Sequence, residues 1–339
     1  MSFMELYNQT PFSAEQMLII DENGGDILSV VVKATYQISD EGITIADDQK
    51  PVILADEYYG EPGASSIKYE SETAFAKPGT DIVLIGSAYA PNDHTEQLDA
   101  IIKVGNISKN IRVFGDRYWD RIFGIWFISD PEPFDRIPLV FEKSYGGWNS
   151  DDQNKTKEFY DTNPVGTGYM ASKNKSKRLH SPLPNLEDPN FLITSPATQP
   201  LPAGFGFISP NWQPRLSFAG TYDDSWKKNR MPLLPLNFNR KFFNSAHPDL
   251  ISPRYIKGGE PVELIHLTPN PKCAFSLPEI FPEMTVCMHG NQESQQILHL
   301  DTLIFNTDKN LLFIIWRNSI NIYDKINKVL WTEVKMISR

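Results

Sequence analysis

Between positions 27 and 38 the chain reads Ile-Leu-Ser-Val-Val-Val-Lys-Ala-Thr-Tyr-Gln-Ile, a nearly unbroken apolar run rich in β-branched and aromatic residues. Such a run predicts one long strand. Asn23-Gly24-Gly25-Asp26 ahead of it is a hairpin-type turn, and Asp40-Glu41-Gly42 leads on to a short partner strand at Ile43-Thr44-Ile45. Further strands are expected over 81–90, 98–104 and 107–114, with Gly105-Asn106 as a two-residue loop between the last two. The pattern returns near the C-terminus, over 261–267, 285–289, 297–305 and 311–317, with a turn at Asp308-Lys309-Asn310. From 320 to 334 a closing helix and a further strand fit equally well. Short strands at this spacing indicate β-sandwich or barrel-like sheets.

The middle of the chain breaks this rhythm. A strand is expected over 139–145, an exposed polar loop over 150–158, and a short helix over 221–230. Thr221 would cap that helix, with Asp223 and Asp224 in its first turn, where carboxylates suit the helix dipole. The most distinctive stretch is 202–246, where Pro202, Pro210, Pro214, Pro232 and Pro235 are interleaved with aromatic rings, among them Phe205, Phe207, Trp212, Tyr222, Trp226, Phe238, Phe242 and Phe243. Proline fixes φ and removes a donor, so this ribbon is neither continuous helix nor central strand. It is also too aromatic for a solvated linker, because disordered segments lack the apolar surface that offsets ordering entropy. A long, irregular, packed segment of this kind is usually functional.

The expected architecture is therefore mainly β: one integrated unit over 1–339, with N-terminal strands at 27–114, a Pro/aromatic-rich irregular middle at 115–255 and C-terminal strands at 256–339. Few short helices are expected. No internal repeat of solenoid or propeller length is visible in the sequence.

Composition narrows the chemistry. With 40% hydrophobic residues the chain can bury a real core, and its 26 prolines in 339 residues favour turns over long helices. A net charge of −10 repels phosphate backbones, so nucleic acid is not an expected partner. Lys173, Lys175, Lys177 and Arg178 form one basic cluster, read as a solvated loop. The first residues lack a basic stretch followed by an apolar core, and no apolar run is long enough to span a membrane. Cytoplasmic residence is expected, with Cys273 and Cys287 as free thiols.

Motifs for catalysis are weak. Gly166-Thr167-Gly168-Tyr169-Met170-Ala171 fits the spacing of a dinucleotide fingerprint, but Asn163-Pro164 precedes it and a polar, lysine-rich loop follows, so it reads as a glycine turn. Cys287, His289 and His299 with Cys273 could approach as zinc ligands across strands, but the tight paired spacing of structural zinc sites is missing. Buried thiols behaving as small apolar groups are the expectation. Asp116, Arg117, Asp120 and Arg121 flank Tyr118 and Trp119, and are read as ion pairs that hold the aromatics rather than as an acid and a base. Neither a cofactor nor a metal is expected. Arg215, Arg230, Arg240 and Arg254 stand among aromatics and prolines, where guanidinium groups either brace a loop core or form interface hot spots.

Several of these blocks, in this order, resemble a bacterial family catalogued as domain of unknown function 2169. They are Gly115-Asp116-Arg117-Tyr118-Trp119, the run from Pro138 to Gly147, Asn163-Pro164-Val165-Gly166-Thr167-Gly168 and the run from Leu183 to Pro189. Pro202-Ala203-Gly204-Phe205-Gly206, Trp212-Gln213-Pro214-Arg215, Ala219-Gly220-Thr221-Tyr222-Asp223, Pro232-Leu233-Leu234-Pro235 and the run from Asn237 to Asn244 complete the set. Asn237 and Asn239 depart from it, standing where aspartates are expected. Members of this family look like adaptors, or loading chaperones, of the type VI secretion system. The resemblance implies a non-catalytic protein that binds a secreted toxic effector and helps load it onto the spike of valine-glycine-repeat protein (VgrG) and its PAAR-domain tip.

Phe205, Trp212, Arg215, Tyr222, Trp226 and Arg230 are the candidate partner contacts, since Trp, Tyr and Arg dominate hot spots. Two alternatives are carried beside this reading. One is a hydrolase-type enzyme with a site assembled from distant residues; the other is a structural component that leaves the cell with the spike.

Overall fold

In the computed structural model residues 5–151, 156–170, 178–290, 292–322 and 328–337 are described. The chain is mainly β, in several sheets that do not close into a barrel. The largest sheet has seven strands. Ile251–Ser252, Thr80–Ile85, His299–Asn306, Leu311–Asn321, Asp26–Ser39 and Ser13–Ile20 lie side by side, and Gly42–Ile45 pairs with Asp26–Ser39 as well. Thr80–Ile85 and His299–Asn306 run parallel, so strands far apart in sequence are neighbours at the sheet's centre. A five-stranded sheet joins Leu186–Glu187, Ile107–Phe114, Gln97–Val104, Pro261–Ile265 and Lys272–Ser276, all antiparallel. Four more strands, Glu5–Asn8, Val329–Ile337, Phe281–Met288 and Gln292–Ile297, make a third sheet.

Burial explains the two sequence patterns. Gln97–Val104 buries Leu98, Ala100, Ile102 and Val104 and turns the alternate residues toward solvent, as a sheet with one covered face does. Asp26–Ser39 is buried at every position from Ile27 to Tyr36, so it is covered on both faces, which is why its sequence shows no alternation. The five-stranded sheet contributes Ile102, Ile111 and Leu264 to the same core cluster as Val32, Leu84, Phe305 and Ile314 of the large sheet.

Around the large sheet lies a buried charged network. Lys33 Nζ meets Glu72 Oε1 at 2.7 Å, and Arg317 Nε meets Asp301 Oδ2 at 2.6 Å while its Nη1 donates to Glu72 O at 2.8 Å. Lys77 Nζ lies 2.8 Å from Asp81 Oδ2 and 3.6 Å from Glu70 Oε2. Burial alone would push the Lys77 ammonium down, but Asp81 and Glu70 reverse this and its pKa is raised. Burying charges is costly unless each is paired and hydrogen-bonded. Here the pairs fix the irregular segment 70–77 against the sheet.

The expected strands over 98–104 and 107–114 are present, with Gly105 at φ 56° in the loop between them. The run over 81–90 is broken into Thr80–Ile85 and Ser87–Tyr89 at Gly86, where a Cβ would stand 2.1 Å from Thr307 Oγ1. The strand expected over 139–145 is instead a 3-10 turn, Phe141–Lys143, followed by the two-residue strand Tyr145–Gly146. Part of the expected loop over 150–158 is paired, Trp148–Asp151 with Thr156–Phe159; residues 152–155 lie outside the described ones. Beyond 320 the described residues continue as strand, not helix, to Asn321 and again over Val329–Ile337.

Candidate partner-binding surface

The ribbon over 202–246 is anchored from both ends. Leu84 N–H donates to Phe205 O at 2.9 Å, which extends the edge of the Thr80–Ile85 strand. The Phe205 and Phe207 rings lie in the main core, exposed by 0% and 1%, and Gly204 lets the backbone pass within reach of the Phe141 ring. Trp212, 3% exposed, packs edge-on against that ring at 5.6 Å. At the far end Asn244 Nδ2 donates to Asp81 Oδ1 at 2.8 Å and Ser245 N–H to Asp81 Oδ2 at 2.9 Å.

Arg215 ties the ribbon to itself and to the sheet. It opens the 3-10 helix Arg215–Phe218 and donates through Nε to Phe242 O at 2.7 Å and through Nη1 to Ile208 O at 2.8 Å. Its Nη2 meets Glu70 Oε1 at 2.5 Å. Glu70 Oε2 accepts from Ser245 Oγ at 2.5 Å, so both carboxylate oxygens are committed to structure.

Beyond this anchor the chain projects as an arm over 221–237. Its helix, Asp224–Asn229, is capped by Asp223, which accepts from Trp226 N–H at 2.8 Å; Thr221, the cap expected from sequence, lies before it. Thr221 instead closes the arm: its N–H donates to Asn237 Oδ1 at 3.0 Å, and Asn237 Nδ2 donates back to its Oγ1 at 2.9 Å. An aspartate at 237 could accept the first bond but not donate the second. Trp226 Nε1 donates to Leu233 O at 2.8 Å and its ring packs edge-on to Tyr222 at 4.7 Å. Arg230 donates to Leu234 O at 2.9 Å and to Glu22 O, fastening the arm to the hairpin turn before Asp26–Ser39.

The six residues expected to contact a partner therefore divide. Phe205, Trp212 and Arg215 are buried within the fold and have no surface to offer. Tyr222 is 49% exposed, and Trp226 and Arg230 are half-buried on the arm, beside Met231 at 63% and Leu236 at 86%. Between the arm and the edge strand Ser13–Ile20 opens a cleft of about 530 Å³, walled by Ile20, Phe75, Pro210, Leu233 and Phe242.

A second apolar surface escaped the sequence reading. Trp119–Ile122 and Ile125–Ile128 form a hairpin whose turn residues Phe123 and Gly124 have φ of 48° and 86°. Positive φ at both central residues is the turn geometry that matches strand twist. One face, with Trp119, Trp126 and Ile128, packs on Tyr145, Leu183 and Ile193. The other presents Ile122 and Ile125 at 54% and 72% exposure, and Phe123 at the tip is fully exposed. The signal was Phe123-Gly124 directly ahead of the apolar run Ile125-Trp126-Phe127-Ile128.

Of the four charges read as an ion-paired loop that holds the aromatics, Arg117 is in a salt bridge, and its partner comes from outside the four. Asp116 accepts from Asn185 Nδ2 at 2.9 Å, Arg117 meets Glu187 at 2.5 Å, and Asp120 accepts from Arg121 N–H at 2.6 Å. Arg121 instead lies 5.3 Å from the Trp126 ring. Gly166–Gly168 is a turn whose Thr167–Gly168 pairs in parallel with Tyr145–Gly146; Ala171, the last residue of the fingerprint spacing, lies outside the described residues. Cys273 and Cys287 stand in different sheets. Of the basic cluster, Lys173, Lys175 and Lys177 lie outside the described residues, and Arg178 is buried.

This mainly-β protein matches, over residues 23–317, the model of a family described as an uncharacterized protein conserved in bacteria (DUF2169). The chain belongs to that family. Neither the curated proteins nor the solved structures contain a match to it. Among the described residues no helix is long and apolar enough to cross a membrane.

Proposed function

We propose that this protein is a cytoplasmic adaptor that holds a secreted toxic effector and helps load it onto the VgrG/PAAR spike of a type VI secretion system. The observation that carries the reading is the pairing of a firmly anchored ribbon with exposed apolar side chains on its projecting arm, Tyr222, Met231 and Leu236. Exposed apolar patches on an otherwise polar surface mark sites of protein association. Preorganisation lowers the ordering cost of binding, and the clasp between Thr221 and Asn237 supplies it. The hairpin tip at Ile122, Phe123 and Ile125 gives a second apolar contact. The link to secretion is what the resemblance carried by the ordered motif blocks implies.

The test is affinity capture with tagged protein from the bacterium that carries it, under conditions in which the secretion apparatus is assembled. A toxin should co-purify together with VgrG or a PAAR protein, and deletion of this chain should abolish export of that toxin while the spike still fires. Recovery of neither partner, with unchanged toxin export in the deletion strain, defeats the reading.

A further inference from the structure

Away from the ribbon, a groove of about 430 Å³ lies between the Ile67–Tyr69 strand, the Arg136–Pro138 strand and the 3-10 turn Thr307–Lys309. Its floor is fixed, because Gly86 abuts Thr307 and its carbonyl accepts from Leu139 N–H at 3.0 Å. Tyr59 and Val140 give it apolar walls. Three cations line it, Lys68, Arg136 and Lys309, against the single carboxylate of Asp308.

That carboxylate is already engaged. Arg136 pairs with it, Tyr89 OH donates to it at 3.0 Å and Ser87 Oγ at 3.2 Å. Glu142 is not among the groove's lining residues, and its carboxylate accepts from Ser66 N–H and Oγ at 2.7 Å each. The Lys68 ammonium sits 5.9 Å and 5.8 Å from the Tyr59 and Tyr69 ring centres, and among the described residues neither it nor Lys309 forms a salt bridge. A concave positive surface therefore stands on a chain of net charge −10.

We propose that this groove docks an acidic, extended segment of another protein, with carboxylates against Lys68 and Lys309 and apolar side chains against Tyr59 and Val140. Local cationic surplus selects the acid. The protein's overall negative field disfavours both a long polyanion and a second copy of the chain, whereas a short segment senses chiefly charges within the Debye length of about 8 Å. The proposal does not depend on the adaptor reading, since no lining residue belongs to the ribbon.

The probe is a fluorescein-labelled decapeptide alternating glutamate and leucine, followed by anisotropy at low salt, with a lysine–leucine peptide as its opposite. The acidic peptide should bind, weaken as salt rises, and lose at least about tenfold in affinity in the double variant Lys68→Glu/Lys309→Glu. Lys257→Glu/Lys328→Glu, two exposed lysines outside both the groove and the arm, with the same change in net charge, should bind as the parent does. Thermal unfolding checks both variants; if the groove variant melts early, Lys68→Gln/Lys309→Gln replaces it. Absence of binding, equal loss in both double variants, or displacement of the peptide by oligothymidylate of equal charge overturns the proposal. So does a self-associated chain that the groove variant converts to monomer.

Discussion

Arg215 and Glu70 meet at 2.5 Å with side-chain exposures of only 8% and 10%, and the contact joins an irregular ribbon to the segment that covers the large sheet. Removing one partner of a buried pair strands the other charge, at a cost of about 3–5 kcal/mol. Arg215→Met should lower stability by that amount in urea denaturation. Arg215→Lys should fall between, because a point charge cannot reach Phe242 O, Ile208 O and Glu70 together as the planar fork does. A loss within about 1 kcal/mol for Arg215→Met, as for an exposed pair, would show that the ribbon is fastened elsewhere.

His247 gives the stability a pH dependence. Its Nδ1 accepts from Asp249 N–H at 3.2 Å, while Lys109 Nζ lies 2.8 Å from Asp249. Burial first, and then the Lys109 ammonium, push its pKa from 6.5 down to about 4, against the opposing pull of Asp249 and Asp188. Between those values the folded state binds fewer protons than the unfolded chain, so stability rises with pH through the window. The contribution is complete above about 6.5 and is lost as pH falls toward 4, amounting to roughly 3 kcal/mol at 1.36 kcal/mol per unit. His247→Asn keeps a capping acceptor and removes the titration. The difference between parent and variant should be flat above pH 7 and shrink or invert toward pH 4; parallel curves throughout would exclude a neutral, buried His247.

The strands were legible where burial follows local pattern, as in Asp26–Ser39 and the Ile107–Phe114 hairpin strand. They were illegible where tertiary contacts redirect the backbone. Val140 to Tyr145 has a strand's composition, but Asn163 and the positive-φ glycines 146 and 147 bend it into a turn. Ser13–Ile20 is an edge strand with no fully covered face, so it lacks clean alternation. Residue type picked out Trp212 and Arg215 as contacts, yet the chemistry that suits an arginine to an interface suits it equally to three buried acceptors. Tyr222, Trp226 and Arg230 were picked by the same residue-type argument, and it is the structure that puts them on the arm, Tyr222 exposed and the other two half-buried.

Asn163 is fully buried and its Nδ2 donates to Phe141 O at 2.8 Å and Tyr145 O at 3.1 Å, while its backbone carbonyl accepts from Gly147 N–H at 2.9 Å. Asn163→Asp removes both donated bonds and places a carboxylate among carbonyl oxygens, which should cost at least about 3 kcal/mol. Gly146→Ala, whose Cβ would lie 2.1 Å from Asn163 O, should unsettle the same turn. Urea midpoints near the parent value for both variants would mean that this turn contributes little to the fold.

Phe123 places a fully exposed ring on a residue held at φ 48°. Both features oppose stability: left-handed backbone costs a non-glycine residue roughly 1–2 kcal/mol, and the ring covers no apolar surface of its own chain. Phe123→Gly should therefore leave the unfolding free energy unchanged or raise it by about 1 kcal/mol. If the hairpin tip grips the effector, the same variant should weaken effector capture by tenfold or more, since apolar anchors at interface centres commonly contribute over about 1.4 kcal/mol. Ile125→Ser should act in the same direction, because Ile125 shares the exposed face with Ile122. Unaltered capture by both variants, alongside loss in Tyr222→Ala, would assign partner binding to the arm alone and leave the hairpin's exposed ring without a role in loading.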